Sequence, residues 1–103
     1  MFTDSHCHIE DDETALRAAA AGVSVLLNAG RDLDEAAAQL LLCAKMDERR
    51  QADEDAPQMW TSAGIHPDSA KAKLARIGVA EIVQAAENPY AVAIGECGLD
   101  YHY

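Results

Sequence analysis

The sequence predicts an α/β protein built on a parallel sheet, and three observations lead there. Its strand-length runs, such as Val23-Ser24-Val25-Leu26-Leu27-Asn28, are near-continuously apolar and branched rather than alternating. Segments with helical spacing separate these runs, giving the order β-α-β-α-β-α-β. Polar residues gather where the runs end: His6 and His8, Asn28, His66 and Glu96. Carboxyl ends of parallel strands are where α/β proteins place their working groups.

Residues 1–7 read as the first strand. The acidic stretch Glu10-Asp11-Asp12-Glu13 opens a helix that runs to about Ala21, with Asp11 or Asp12 as its cap. Gly22 stands where a left-handed residue closes a helix. Val23 to Asn28 is the second strand, and Gly30 marks the turn after it. Asp32 and Glu35 have capping-box spacing, and Leu33, Ala36, Ala37, Leu40, Leu41 and Ala44 share one face of the helix that follows. That helix is expected to dissolve in the charged segment 47–55, before Pro57. Residues 59–65 form the third strand. Two helical stretches follow, 68–76 and 79–87, parted by Gly78. Asn88-Pro89 ends the second, and residues 90–95 form the fourth strand. All four strands are expected to be buried on both faces.

A chain of 103 residues makes one small domain, and much of its 50% hydrophobic content is alanine. A net charge of −10 disfavours a broad grip on nucleic-acid phosphates. A site that holds a few phosphates through bound cations remains open to it. Cys7, Cys43 and Cys97 are too widely spaced for a disulfide framework or a Cys-x-x-Cys pair, which fits the reducing cytoplasm. Neither a signal peptide nor an apolar run near 18 residues is present, so no membrane partner is expected.

Residues alternate faces along a strand, so His6 and His8 project together while Cys7 points away. Two imidazoles so placed can chelate a divalent ion, or they are simply two histidines at a strand exit. Asp4 stands two residues before His6, where it can orient a ligand imidazole. Glu96 ends an apolar run between Gly95 and Gly98. A carboxylate there is costly unless it is paired or bound to a metal, and the alternative is a carboxylate that accepts turn amides. Asp100 fits that supporting role better. His66, held extended by Pro67, can touch a phosphate, carry a proton or only pack. The cysteines read as small apolar residues, not nucleophiles.

Three segments, Phe2-Thr3-Asp4-Ser5-His6-Cys7-His8-Ile9, Ser62-Ala63-Gly64-Ile65-His66-Pro67 and Ala93-Ile94-Gly95-Glu96-Cys97-Gly98-Leu99-Asp100-Tyr101, resemble in order and spacing the N-terminal signatures of the TatD family of metal-dependent deoxyribonucleases. The resemblance implies the first half of a TIM-type (α/β)8 barrel, with four strands present and residues 1–103 forming an N-terminal partial domain. It implies His6, His8 and Glu96 as ligands of divalent metal (Zn, Mn or Mg, two ions in the complete enzyme) and His66 beside them. It also implies a catalytic part for Glu96 and His66, and DNA or another nucleic-acid phosphodiester as substrate.

The family pattern continues with a histidine after the fifth strand, another after the sixth and an aspartate after the eighth. This sequence offers no position for them, so the isolated chain is expected to show negligible turnover. Two other readings stand beside this one. The chain is a catalytically incomplete fragment that binds metal weakly or self-associates through its open sheet edges, or it is part of another His-x-His barrel hydrolase acting on amide bonds. The second and third signatures argue against the amide hydrolase.

Overall fold

The computed structural model describes residues 1–67 and 78–98, so the helix expected at 68–76 lies outside the described residues. Strand β1 (Phe2–Cys7), helix α1 (Asp12–Ala20), strand β2 (Val23–Asn28), helix α2 (Ala36–Gln51), strand β3 (Gln58–Ala63), helix α3 (Val79–Ala86) and strand β4 (Ala91–Ile94) follow in that order. The strands form one sheet in the order β1-β2-β3-β4, every neighbour parallel. All four carboxyl ends therefore share one edge of the sheet.

Local chemistry sets the helix limits. Asp11 caps α1 by accepting the Thr14 amide at 2.7 Å, and Gly22 closes it with φ 98° while its amide bonds Ala19 O. Before α2, Asp32 accepts the Asp34 amide and starts a 3-10 turn at Leu33–Glu35, so the expected capping box is replaced by a tighter entry.

Helix α2 ends at Gln51, inside the charged segment 47–55 where its end is expected. Asp47 and Arg50 pair at 3.1 Å three residues apart, and Arg49 and Arg50 lie in the last turn, where cations suit the helix end. Asp53, at φ 60°, then ends it in a Schellman arrangement: the Glu54 amide bonds Arg49 O and the Asp53 amide bonds Arg50 O.

The inward face of α2 also differs from expectation. Leu42, Cys43 and Met46 are buried, whereas Leu41 is exposed. Four consecutive apolar residues, 40–43, satisfy two helical stripes equally, and packing selects the one that meets β3. With Ala15 of α1, Leu26 of β2 and Met59 of β3, these side chains form the core. Met46 is fully buried in it, so Met46→Ala should cost about 2–5 kcal/mol in urea denaturation. An unchanged midpoint would mean the core lies elsewhere.

Burial on both faces holds for the central strands but not for the edges. In β1 every residue but Cys7 is exposed, and in β4 Val92, Ala93 and Ile94 are exposed. Each edge strand has a single neighbour, and no described element covers Phe2, Val92 or Ile94. Among the described residues, no helix is long and apolar enough to cross a membrane.

Candidate metal centre

The carboxyl ends of the strands are held together by backbone groups before any side chain meets another. Beyond β4 the chain turns inward: the Gly95 amide bonds Ala63 O, the Glu96 amide bonds Gly30 O at 2.9 Å, and Glu96 O accepts the Ile65 amide at 3.0 Å. Gly30 follows β2 and Ile65 follows β3, so the extension of β4 crosses the end of β3 to reach the end of β2. Gly64 makes the crossing possible. A Cβ there would lie well inside van der Waals contact of Glu96 O and of the Gly95 carbonyl.

The crossing carries Glu96 to the histidines of β1. Its Oε2 lies 3.2 Å from His6 Nε2 and 3.1 Å from His8 Nε2, and its Oε1 lies 3.3 Å from His66 Nε2. The rings of His6 and His8 stand edge to face with centroids 5.1 Å apart. Residues from both edges of the sheet and from β3 thus meet around one carboxylate. His6 and His8 do project together, as strand alternation predicts, while Cys7 turns to the other side and donates to Leu27 O at 3.3 Å.

One atom in this cluster is out of balance. Glu96 Oε2 is buried without a hydrogen bond, although two imidazole nitrogens lie within ion-pair range. One ligand atom each from His6, His8 and Glu96 falls within 4.8 Å of the other two. Donor atoms gathered this closely, with one buried carboxylate oxygen left without a hydrogen bond, form the arrangement a divalent cation satisfies.

The other sequence candidates fall out differently. Asp4 reaches His6 through the backbone, its Oδ1 accepting the His6 amide at 3.0 Å, so it fixes the strand rather than a ring. Asp100 lies outside the described residues. Burial pushes the Cys7 and Cys43 thiols up to about 11, with Asp4 and Asp47 respectively adding to the effect. Both remain protonated near neutral pH, as their reading as packing residues requires.

Three contributors act through backbone contacts, and of these the sequence marks only Asn28, as a polar residue at a strand end. Asn28, fully buried, grips the backbone of Ile9 from both sides: its Oδ1 accepts the Ile9 amide and its Nδ2 donates to Ile9 O, each at 2.8 Å. The segment leaving His8 is thereby fixed. Ser62 and Gly64 shape the crossing under Glu96. Their position just ahead of His66 was the available signal. A cavity of about 260 Å³ is lined by Ile9, Glu10, Glu35, Ala38, Gln39 and Leu42, none of them a member of the cluster.

Parallel β/α units in sequential strand order, with imidazoles and a carboxylate gathered at the strands' carboxyl ends, define an α/β protein of the TIM-barrel type, here its first half. Sequence comparison narrows the class. The family of TatD-related DNases matches residues 3–103, and the chain belongs to that family.

Several relatives bear the name 3'-5' ssDNA/RNA exonuclease TatD. The protein of Citrobacter rodentium is 37% identical over 101 residues, covering 98% of this chain and 34% of the relative. That of Salmonella typhimurium is 34% identical over 102 residues, covering 98% and 35%. That of Erwinia amylovora is 36% identical over 91 residues, covering 88% and 31%. The chain spans about a third of the length of these curated relatives.

Proposed function

We propose that the chain is the metal-binding first part of a nuclease that hydrolyses nucleic-acid phosphodiesters, with His6, His8 and Glu96 holding a divalent ion. The buried, uncompensated Glu96 Oε2 facing two imidazoles carries this reading. Three protein ligands leave coordination positions for water and substrate, as catalytic rather than structural sites do. Imidazole with carboxylate suits zinc and manganese, and magnesium less well. When bound, such an ion supplies Lewis-acid polarisation of a phosphoryl oxygen and acidifies the hydrolytic water.

The side chains divide the remaining work. Glu96, whose Oε2 faces His6 and His8 while its Oε1 faces His66, would hold the ion through its carboxylate. His66, 3.3 Å from Oε1, is placed to hold a proton and release it to a leaving oxygen. A cationic centre also resolves the conflict between a net charge of −10 and a polyanionic substrate, because contact is confined to a few phosphates. The relatives' names support single-stranded DNA or RNA as that substrate. Unpaired cysteines fit a cytoplasmic setting.

The test is metal-stimulated release of nucleotides from a 3'-labelled single-stranded oligonucleotide, using a polypeptide that contains this chain. Release should stop on chelation and fall at least about 100-fold in His6→Ala, beyond the range for losing an outer partner of a ligand. Hydrolysis that persists in His6→Ala would overturn the assignment.

A further inference from the structure

We infer that Ser62 is a positioning residue that sets where Glu96 presents its carboxylate, an inference that rests on the metal-centre reading above. The Ser62 side chain is buried, 7% exposed, and its hydroxyl is used twice. It accepts the Gly30 amide at 2.8 Å and donates to Gly95 O at 2.8 Å. Gly95 is the residue before Glu96, and Gly30 O holds the Glu96 amide. The amide and carbonyl of Gly30 therefore both lead to the Gly95–Glu96 segment, one directly and one through the serine hydroxyl.

This bridge does what a sheet ladder cannot do at that point. Gly30 extends β2 and Gly95 extends β4, and β3 lies between those strands. Backbone groups on strands that are not neighbours have no ladder to join them, and beside the single Glu96 amide to Gly30 O bond a side chain from the intervening strand adds a second link. Ser62 of β3 is that side chain. An apolar residue in its place would leave the Gly30 amide and the Gly95 carbonyl each short of a partner.

The placement of buried polarity supports a role directed at the site. Among the described residues the buried polar side chains are Asn28, Thr61 and Ser62, all at the carboxyl ends of β2 and β3. Asn28 fixes the segment after His8, and Thr61 donates to Asn28 O. Ser62 is the member of this layer that acts on the segment bearing the carboxylate. Outer partners that orient a metal ligand commonly govern affinity as well as fold.

The test measures Mn2+ binding to the chain by calorimetry and amide hydrogen exchange at Gly30 and Glu96, in the parent, Ser62→Ala, Ser62→Thr and Cys43→Ala. Ser62→Ala should lose about 10-fold in Mn2+ affinity and exchange faster at both amides. Ser62→Thr, which keeps the hydroxyl on a residue suited to strands, should recover most of the affinity. Cys43→Ala, a cavity in the core at a residue that makes no contact with the Ser62 bridge, should lower the unfolding midpoint and leave affinity unchanged.

Unchanged Mn2+ affinity in a folded Ser62→Ala, in a parent that binds, overturns this inference alone. An equal loss in Cys43→Ala would overturn it too, by showing that affinity follows general stability. A parent that does not bind Mn2+ would overturn the metal-centre reading and this inference with it.

Discussion

Glu96→Gln should reduce divalent-metal affinity by at least about 100-fold while leaving the fold in place. Loss of a partner one step removed from a metal commonly costs 10–100-fold, and a direct ligand must exceed that. Glutamine preserves the volume and one carbonyl oxygen, so the crossing strand keeps its course. It removes the charge, and its amide group turns a donor toward the point where His6 Nε2 and His8 Nε2 converge. In the absence of metal the change should be neutral or mildly stabilising, because it relieves a buried oxygen that has no hydrogen bond. The two effects have opposite signs, which separates ligation from structure. Calorimetric titration with Mn2+ or Zn2+, beside thermal unfolding in chelator, reads both. Unchanged metal affinity would rule out Glu96 as a ligand.

Gly64→Ala should be among the most destabilising single methyl additions in the chain, at about 3 kcal/mol, the upper part of the range for overpacking. The added carbon meets the carbonyl oxygen of Glu96 and the carbonyl of Gly95. These are backbone atoms, which cannot swing aside as a side chain can. They are also tied to Ile65, Gly30 and Ser62, so relief requires the β4 extension to lift off the end of β3. Metal affinity should fall with stability, since Glu96 rides on the displaced segment. Gly95 differs: a Cβ built there meets nothing within 4 Å, so Gly95→Ala should be mild. Equal urea midpoints for the two variants would show that the crossing is not tightly packed.

Much of this arrangement was legible in the sequence because its signals are local. Strand order, helix starts at Asp11 and Asp32, the left-handed Gly22 and the shared face of His6 and His8 each depend on a few neighbouring residues. The inward face of α2 was not legible, because 40–43 is apolar throughout and only β3 decides which residues it meets. The end of α2 was legible to within the charged segment 47–55, while the residue at which it stops depends on the Asp47–Arg50 pair and the terminal arginines. Exposure of β1 and β4 could not be read either, since an apolar run looks the same in a central strand and at an edge. At the site, the imidazoles and the carboxylate announced themselves by residue type. Ser62 and Gly64 did not, and Asn28 showed only as a polar strand end: all three act on backbone atoms far along the chain, and no spacing rule encodes that.

The meeting of His6 and Glu96 has a mechanical consequence. Strands spaced about 4.8 Å apart would hold the edges of a flat four-stranded sheet about 14 Å from each other, yet here an imidazole of β1 and a carboxylate beyond β4 lie 3.2 Å apart. An ion shared between them would clasp one margin of the sheet to the other and close a loop containing nearly the whole polypeptide. Such a clasp removes chain entropy from the unfolded ensemble, much as a long-range cross-link does. With free ion at 100 times its dissociation constant the gain is about 2.7 kcal/mol, a large fraction of a small domain's stability. A bound ion would thereby couple curvature, cooperativity of unfolding and ion concentration, and metal supply would then bear on how long this chain stays folded.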